Sequence, residues 1–395
     1  MPELPLALIH AHIITPETEI DDGTVVIAHG RIVQADERPP PDGADVRDFR
    51  GLIVAPGFID LHVHGGGGFS LVDGDAAHIS SYSRWAASRG VTGFLITLLP
   101  DTPQRMVEVI GRTAAALDGP FDGARPLGIN LEGPFLNPLR GGALNSHALR
   151  PPDMIEFREY LRAASGRLRL MTLAPELPGA SAVIAEAVQA GIVVALGHSD
   201  ATYDEAKSAF ALGVRHVTHC FNAMRPFHQR EPGCVGAALD SPDVTVELIA
   251  DGVHVHPAAM AMLLRLKGVD RTVLVSDGIP LAGLGDGSFE LQGARVEVKD
   301  GVARRGDGTL AGGAMPLDVT VRNVVASLPV TPTEATQMAT LNAASVIGLA
   351  ERKGKVAPGY DADLVVLSRD LDVEMTFVAG RLVYERPASA LSRST

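Results

Sequence analysis

The chain has 395 residues, 46% of them hydrophobic and 21% charged, which suits a folded protein with one large domain and an appendage. Its 34 Lys and Arg against 47 Asp and Glu leave a net charge of -13, so no broad basic face is available for nucleic acid or an anionic membrane. Two cysteines, Cys220 and Cys234, are too few for a disulfide scaffold and point to a reducing cytoplasm.

The opening "MPELPLALIHAHIITPETEI" carries Glu3 and no basic start before its short apolar run, so it is not expected to act as a signal peptide. No run reaches about 18 uninterrupted apolar residues, so no membrane span is expected. Residues 1–56 read as short β-branched strands, "ALIHAHIIT" and "GTVVIAHGRIVQAD", broken by "PPPDGAD". The final stretch, 350–395, reads the same way through "DADLVVLSRD" and "VEMTFVAGRLVYE". The two ends are expected to pair as a small β-sandwich domain, with a boundary at Pro56 and Gly57.

Residues 57–349 alternate strand-like runs with amphipathic helical windows, the pattern of a parallel α/β fold. The strand candidates, in order, lie near 52–64, 91–99, 125–133, 167–176, 192–200, 216–224, 244–254 and 271–278. Helical windows such as "DAAHISSYSRWAASRG", "TPQRMVEVIGRTAAAL" and "TYDEAKSAFALG" separate them. Eight such units imply a closed (β/α)8 TIM-like barrel, whose active site lies where the carboxyl ends of the strands converge.

Several strands end in ionisable residues: His62 and His64, Glu132, His198, His219 and Asp277. His62 and His64 stand two apart on a strand and so face the same way, as two neutral imidazoles can when they ligate a metal. The glycines behind them, "HGGGG", are expected to let backbone crowd the site and substrate enter. Glu132, His198 and His219 offer one carboxylate and two imidazoles, a common catalytic zinc shell. Some similar barrels bridge two metals with a modified lysine at the end of the fourth strand; here that strand ends "TLAPE", so Glu132 is expected to supply the negative charge. Asp277 is placed to carry a proton for a metal-activated water, as ligand, as base, or as both. After the sixth strand, "HCFNAMRPFHQREPG" offers Asn222, Arg225, His228 and Arg230, arginine being well shaped for a phosphate. His254 follows the seventh strand, within reach of a substrate carbonyl.

Together "PGFIDLHVHG", "LEGPF", "LGHSDATYDEA", "VTHCFNAM", "REPGCVGAAL", "DGVHVHP" and "VSDG" resemble the N-acetylglucosamine-6-phosphate deacetylases of the amidohydrolase superfamily. The likeness runs from about residue 50 to 380, and "LEGPF" and "FNAM…REPG" are its specific parts. The resemblance implies hydrolysis of the acetamide of an amino-sugar phosphate to acetate and free amine. It implies a divalent metal, one or two ions per subunit, with zinc the first expectation and iron, manganese or cobalt the others. Glu132, His198 and His219 would hold the firmly bound ion, and His62, His64 and Asp277 a second. Asp277 would be the catalytic acid and base, and His254 a catalytic substrate contact.

By the same resemblance Ala143, Asn222 and Ala223 would contact the sugar phosphate. Leu310, Ala311 and Gly312 would belong to a loop over the sugar, in a segment usually carrying Ser where Gly313 stands. Arg230 would bind phosphate, reaching in from a neighbouring subunit, which implies a homodimer. Leu144 occupies the position of a substrate-contacting histidine in the family, and His147 is the candidate substitute. That departure leaves room for N-acetylgalactosamine 6-phosphate, an unphosphorylated amino sugar, an N-acyl amino acid or a cyclic amide as substrate. A catalytically inactive metal or sugar binder is the reading of a different class. It would be expected to have lost a ligand or the acid, and all are present.

Overall fold

The computed structural model describes residues 4–291 and 294–387. Its centre is a parallel sheet of eight strands: β1 (Phe58–Val63), β2 (Val91–Leu98), β3 (Arg125–Glu132), β4 (Leu168–Leu173), β5 (Val193–Leu196), β6 (His216–Val217), β7 (Thr245–Leu248) and β8 (Thr272–Leu274). Each pairs with its sequence neighbour. The last is tied back to the first: the Asp277 amide donates to the His62 carbonyl at 3.0 Å, and the His64 amide to the Gly278 carbonyl at 2.7 Å. The result is the TIM-like barrel expected from the alternating pattern.

The helices that follow the strands are α1 (Ala76–Ala87), α2 (Pro103–Ala116), α3 (Met154–Ala164), α4 (Ala180–Gln189), α5 (Tyr203–Ala211), α6 (Gly233–Asp240), α7 (Pro257–Lys267) and α8 (Leu317–Ser327). Their starts are written locally. The Asp75 carboxylate caps α1, the Thr102 hydroxyl caps α2, and α5 begins with a capping box between Thr202 and Glu205. Every residue of β2 is buried, as expected of a parallel strand covered on both faces.

Inside the barrel several strands pass from apolar to polar along their length. Leu95 is followed by Thr97, Leu170 by Thr172, Ala195 by His198, and Val273 and Val275 by Asp277. The apolar part forms a floor closed by Ala343, Ala344 and Ile347 from the helix Leu341–Val346 and its end. The polar part opens on the mouth. Burying the floor supplies on the order of 25 cal/mol per Å² of apolar surface, so the polar layer above can be spent on function.

Strands from both chain ends hydrogen-bond into one sheet, in which Leu364 lies opposite Pro56 and Ile53–Pro56 also pairs with Leu6–Ile14. Leu8, Ile13, Val25, Val54, Leu364 and Phe377 form its core. A further four-stranded antiparallel sheet was not anticipated. It comprises Gly287–Leu291, Ala294–Lys299, Val302–Arg305 and Leu310–Gly313, inserted between β8 and α8. The segment expected as a loop over the sugar is the last strand of this cap. Its alternating pattern was masked by "GDGT" and "AGG", whose glycines read as loop.

Candidate active site

Glu132 ends β3 and forms the centre of the mouth. Its Oε1 lies 3.0 Å from His198 Nε2, 3.1 Å from His219 Nε2 and 3.5 Å from His62 Nε2, and its Oε2 lies 3.3 Å from His64 Nε2. Asp277 Oδ1 lies 3.3 Å from His64 Nε2 and 3.5 Å from His62 Nε2. Two donor sets, His62–His64–Glu132 and Glu132–His198–His219, thus share one carboxylate, and all five residues are buried.

His198, His219 and Asp277 stand just past their strands with φ of 48°, 27° and 45°. Left-handed backbone costs about 1–2 kcal/mol per non-glycine residue, and such outliers gather where a side chain must be aimed. Strands β5, β6 and β8 are shorter than the apolar runs suggest because the chain leaves the ladder to turn these groups inward.

The far nitrogens of three imidazoles are held from outside. His62 Nδ1 meets Glu247 Oε2 at 3.0 Å, His64 Nδ1 the Thr97 carbonyl at 3.1 Å, and His198 Nδ1 the Arg140 carbonyl at 2.8 Å. Such bonds keep a proton on Nδ1 and turn Nε2 toward the centre. His62 Nε2 is buried with no hydrogen-bond partner, as a waiting ligand atom would be. The donor set and the turned nitrogens therefore fit a metal ion.

Electrostatics agree with a site built for a cation. Burial alone would raise the Glu132 carboxyl, but His62, His198 and His219 hold it well below the usual range. Burial would lower His64, yet Asp277 and Glu132 push it up to about 9. Burial likewise opposes ionisation of Asp277, and His64 and His62 outweigh it.

Glu247, inside β7, was not singled out from the sequence. It accepts from the His219 amide at 2.9 Å and meets His216 Nε2 at 3.1 Å as well as His62. It is fully buried, and His62 and His216 hold it far below the ordinary carboxylate value despite that burial. An acid inside the apolar run "VTVELIA" was the available signal. Glu247→Gln is expected to weaken metal binding about 10- to 100-fold with little loss of fold, as measured by chelator competition. Unchanged affinity would remove the orienting role.

A cavity of about 570 Å³ lies over the mouth. His64, Glu132, His198, His219 and Asp277 line its floor, while His62 lies beneath the surface. Ala143, Asn222, Ala223, His254, Leu310, Ala311 and Gly312 line its walls, and Leu144 is among them. His254 Nδ1 binds Asp251 Oδ2 at 2.6 Å, leaving Nε2 as its open nitrogen. Burial would lower this imidazole, but Asp251 raises it above the ordinary value.

Several expectations land elsewhere. His147 is exposed in a short turn, Ser146–Ala148, and does not line the cavity, so it does not stand in for the residue at Leu144. Arg230 and His228 are also exposed outside the cavity lining, and Arg225 is bound to Asp200. Two of the glycines after His64 are held close against Trp85. A Cβ on Gly66 would sit 2.2 Å from the Trp85 ring, and one on Gly67, where φ is 60°, would sit 2.4 Å from it. Gly313 has a similar reason. Its amide donates to the Asp277 carbonyl at 2.8 Å, and a Cβ there would meet the Ser276 carbonyl at 2.1 Å. The cap is thereby docked directly on the Asp277 turn.

Comparison with known proteins adds four findings. Residues 53–383 match the model of the amidohydrolase family. The chain is 34% identical over 377 residues to N-acetylglucosamine-6-phosphate deacetylase of Bacillus subtilis, covering 94% of this chain and 95% of the other. It is 35% identical over 370 residues to N-acetylgalactosamine-6-phosphate deacetylase of Escherichia coli O157:H7, covering 94% and 97%. A Mycobacterium smegmatis N-acetyl-D-glucosamine-6-phosphate deacetylase mutant, solved in complex with N-acetyl-D-glucosamine-6-phosphate, superimposes with a TM-score of 0.90 at 35% identity, covering 96% of this chain and 100% of that one.

Proposed function

The chain belongs to the amidohydrolase family, and on that premise we propose that it is a metal-dependent deacetylase. Its substrate is N-acetylglucosamine 6-phosphate, hydrolysed at the acetamide to glucosamine 6-phosphate and acetate. The observation that carries this reading is the convergence of four imidazole Nε2 atoms on Glu132, with Asp277 beside them, under one cavity.

When bound, the metal supplies a Lewis acid that brings the pKa of water from about 15.7 toward about 7 and polarises the amide carbonyl. Glu132, His198 and His219 would hold it, and His62, His64 and Asp277 could hold a second ion. Nitrogen and carboxylate donors favour zinc, with iron, manganese and cobalt compatible. The Asp277 carboxylate accepts the proton of the attacking water, a role supported by its ionised state next to His64. His254 offers its Nε2 to the carbonyl oxygen as that oxygen gains negative charge. Asp277 then returns the proton to the departing nitrogen, because an amine anion is a very poor leaving group. The amide C–N bond breaks and the water oxygen stays with the acetate.

Acetate release by metal-reconstituted protein from N-acetylglucosamine 6-phosphate, its galactose epimer, their unphosphorylated forms and an N-acetyl amino acid tests this directly. Turnover is expected to be highest on a phosphorylated hexosamine. Acetate from none of the sugars would end the proposal. The galactose epimer is the second reading, favoured by the equally similar Escherichia coli relative and by Leu144 in the cavity wall.

Metal loading must displace the proton on His64, whose value near 9 lies above neutrality. Apparent affinity is therefore expected to rise between pH 6 and pH 9, by up to about tenfold per unit for each proton displaced. Calorimetry in two buffers of different ionisation enthalpy would count those protons, and pH-independent binding would contradict the assignment.

The remaining assignments extend the same reading. Residues 1–56 with 350–395 form one domain and 57–349 the catalytic one, residues 1–3, 292–293 and 388–395 lying outside the described residues. Arg230 serves the site of a second copy in a homodimer, a role supported by its exposure away from its own cavity. The protein works in the cytoplasm, in line with two buried free thiols that burial raises to about 12 and about 11.

A further inference from the structure

The cavity wall contains four carboxylates, Asp73, Glu132, Asp277 and Glu290, but only one guanidinium or ammonium among its described residues, that of Arg305. Arg305 ends the third cap strand, two residues after Ala303, so the two side chains share a face. Ala303 is buried in the apolar cluster of the cap with Ile279 and Ala311, and Ala311 itself lines the cavity. Arg305 therefore hangs from the cap into the space above the metal-ligating residues.

The Arg305 guanidinium forms no ion pair among the described residues, and the charge it acts on is that of the exposed Asp307. Its Nε is buried with no hydrogen-bond partner. Asp307 on the adjoining turn accepts the Thr309 amide instead. Other cations near the mouth are committed: Arg140 and Arg225 both bind Asp200, at 2.8 Å and 2.9 Å. Arg304, next in sequence, donates to the Gly308 carbonyl. A buried guanidinium nitrogen without a partner is costly, and the cost is relieved when an anion supplies two acceptors in the plane of the fork.

We propose that Arg305 binds the phosphate of the substrate from within the same chain and so sets the preference for phosphorylated sugars. The assignment rests on the deacetylase reading above. It differs from the role given to Arg230, which depends on a second copy, whereas Arg305 is already in the cavity of its own chain.

The test compares metal-loaded wild type, Arg305→Ala, Arg305→Lys and Arg230→Ala. Arg305→Ala is expected to lower kcat/KM for N-acetylglucosamine 6-phosphate by about 10- to 100-fold, mainly through KM, the range for one charge-assisted contact. Turnover of unphosphorylated N-acetylglucosamine is expected to change less than about twofold. Arg305→Lys keeps a point charge without the fork and is expected to fall between the two. It also separates lost binding from lost folding. Equal losses on both sugars, or full retention of phosphate preference in Arg305→Ala, would overturn the proposal. Calorimetric binding of inorganic phosphate, present in wild type and lost in Arg305→Ala, tests the residue without turnover. If wild type binds phosphate through Arg305 but releases no acetate, the deacetylase reading fails while the anion site stands.

Discussion

Asp277→Asn is expected to keep its metal and to lower kcat by about 10²- to 10⁴-fold, the usual contribution of a positioned acid–base group. Asparagine is the informative replacement because it preserves shape and tolerates the left-handed backbone that Asp277 adopts at φ 45°. The local frame does not depend on the carboxylate. The Asp277 amide donates to the His62 carbonyl, and its carbonyl accepts from Gly313. What is lost is the ability to take a proton, since an amide oxygen cannot hold one near neutrality. Occupancy of the ion assigned to Glu132, His198 and His219 should match wild type by elemental analysis while acetate release collapses. Near-normal turnover would show that another group carries the proton.

Glu132→Gln is expected to fail earlier, at metal binding itself. The Glu132 carboxylate belongs to both donor sets and lies within 3.0–3.5 Å of four imidazole nitrogens. Losing an outer partner of a metal ligand already costs about 10- to 100-fold in affinity, so losing the shared ligand charge should cost more than about 100-fold. Activity should fall with occupancy and recover in part at high metal concentration. The two variants therefore separate: Asp277→Asn holds metal without turnover, and Glu132→Gln holds little metal. Chelator competition with parallel acetate assays reads both. A Glu132→Gln protein with full metal at wild-type affinity would move the centre of the site elsewhere.

Much of this site could be read along the chain, and the reason is geometric. A parallel barrel strand carries an apolar run followed by a polar end, so "IDLHVH", "GINLEG", "VVALGHSD" and "VLVSDG" show both the element and the group it delivers. The cap was invisible because its strands are short, polar and divided by glycines. Glu247 and Arg305 were passed over because a single charge in a strand has no periodic partner to mark it. Only the fold shows that Glu247 lies against His62 and His216, or that Arg305 lines the cavity with no carboxylate paired to it among the described residues. The packing of Gly66 and Gly67 on Trp85, 18 residues beyond Gly67 on another element, was hidden for a similar reason.

The linear order of residue types thus decides that a barrel forms and which groups sit at its mouth, because strand period and hydrophobic burial are local. Three-dimensional packing decides the rest: which imidazole nitrogen turns inward, which carboxylate holds it there, and which cation is left unpaired. Those outcomes depend on distances between residues far apart in the chain, such as the 185 positions between His62 and Glu247, and no local pattern encodes them.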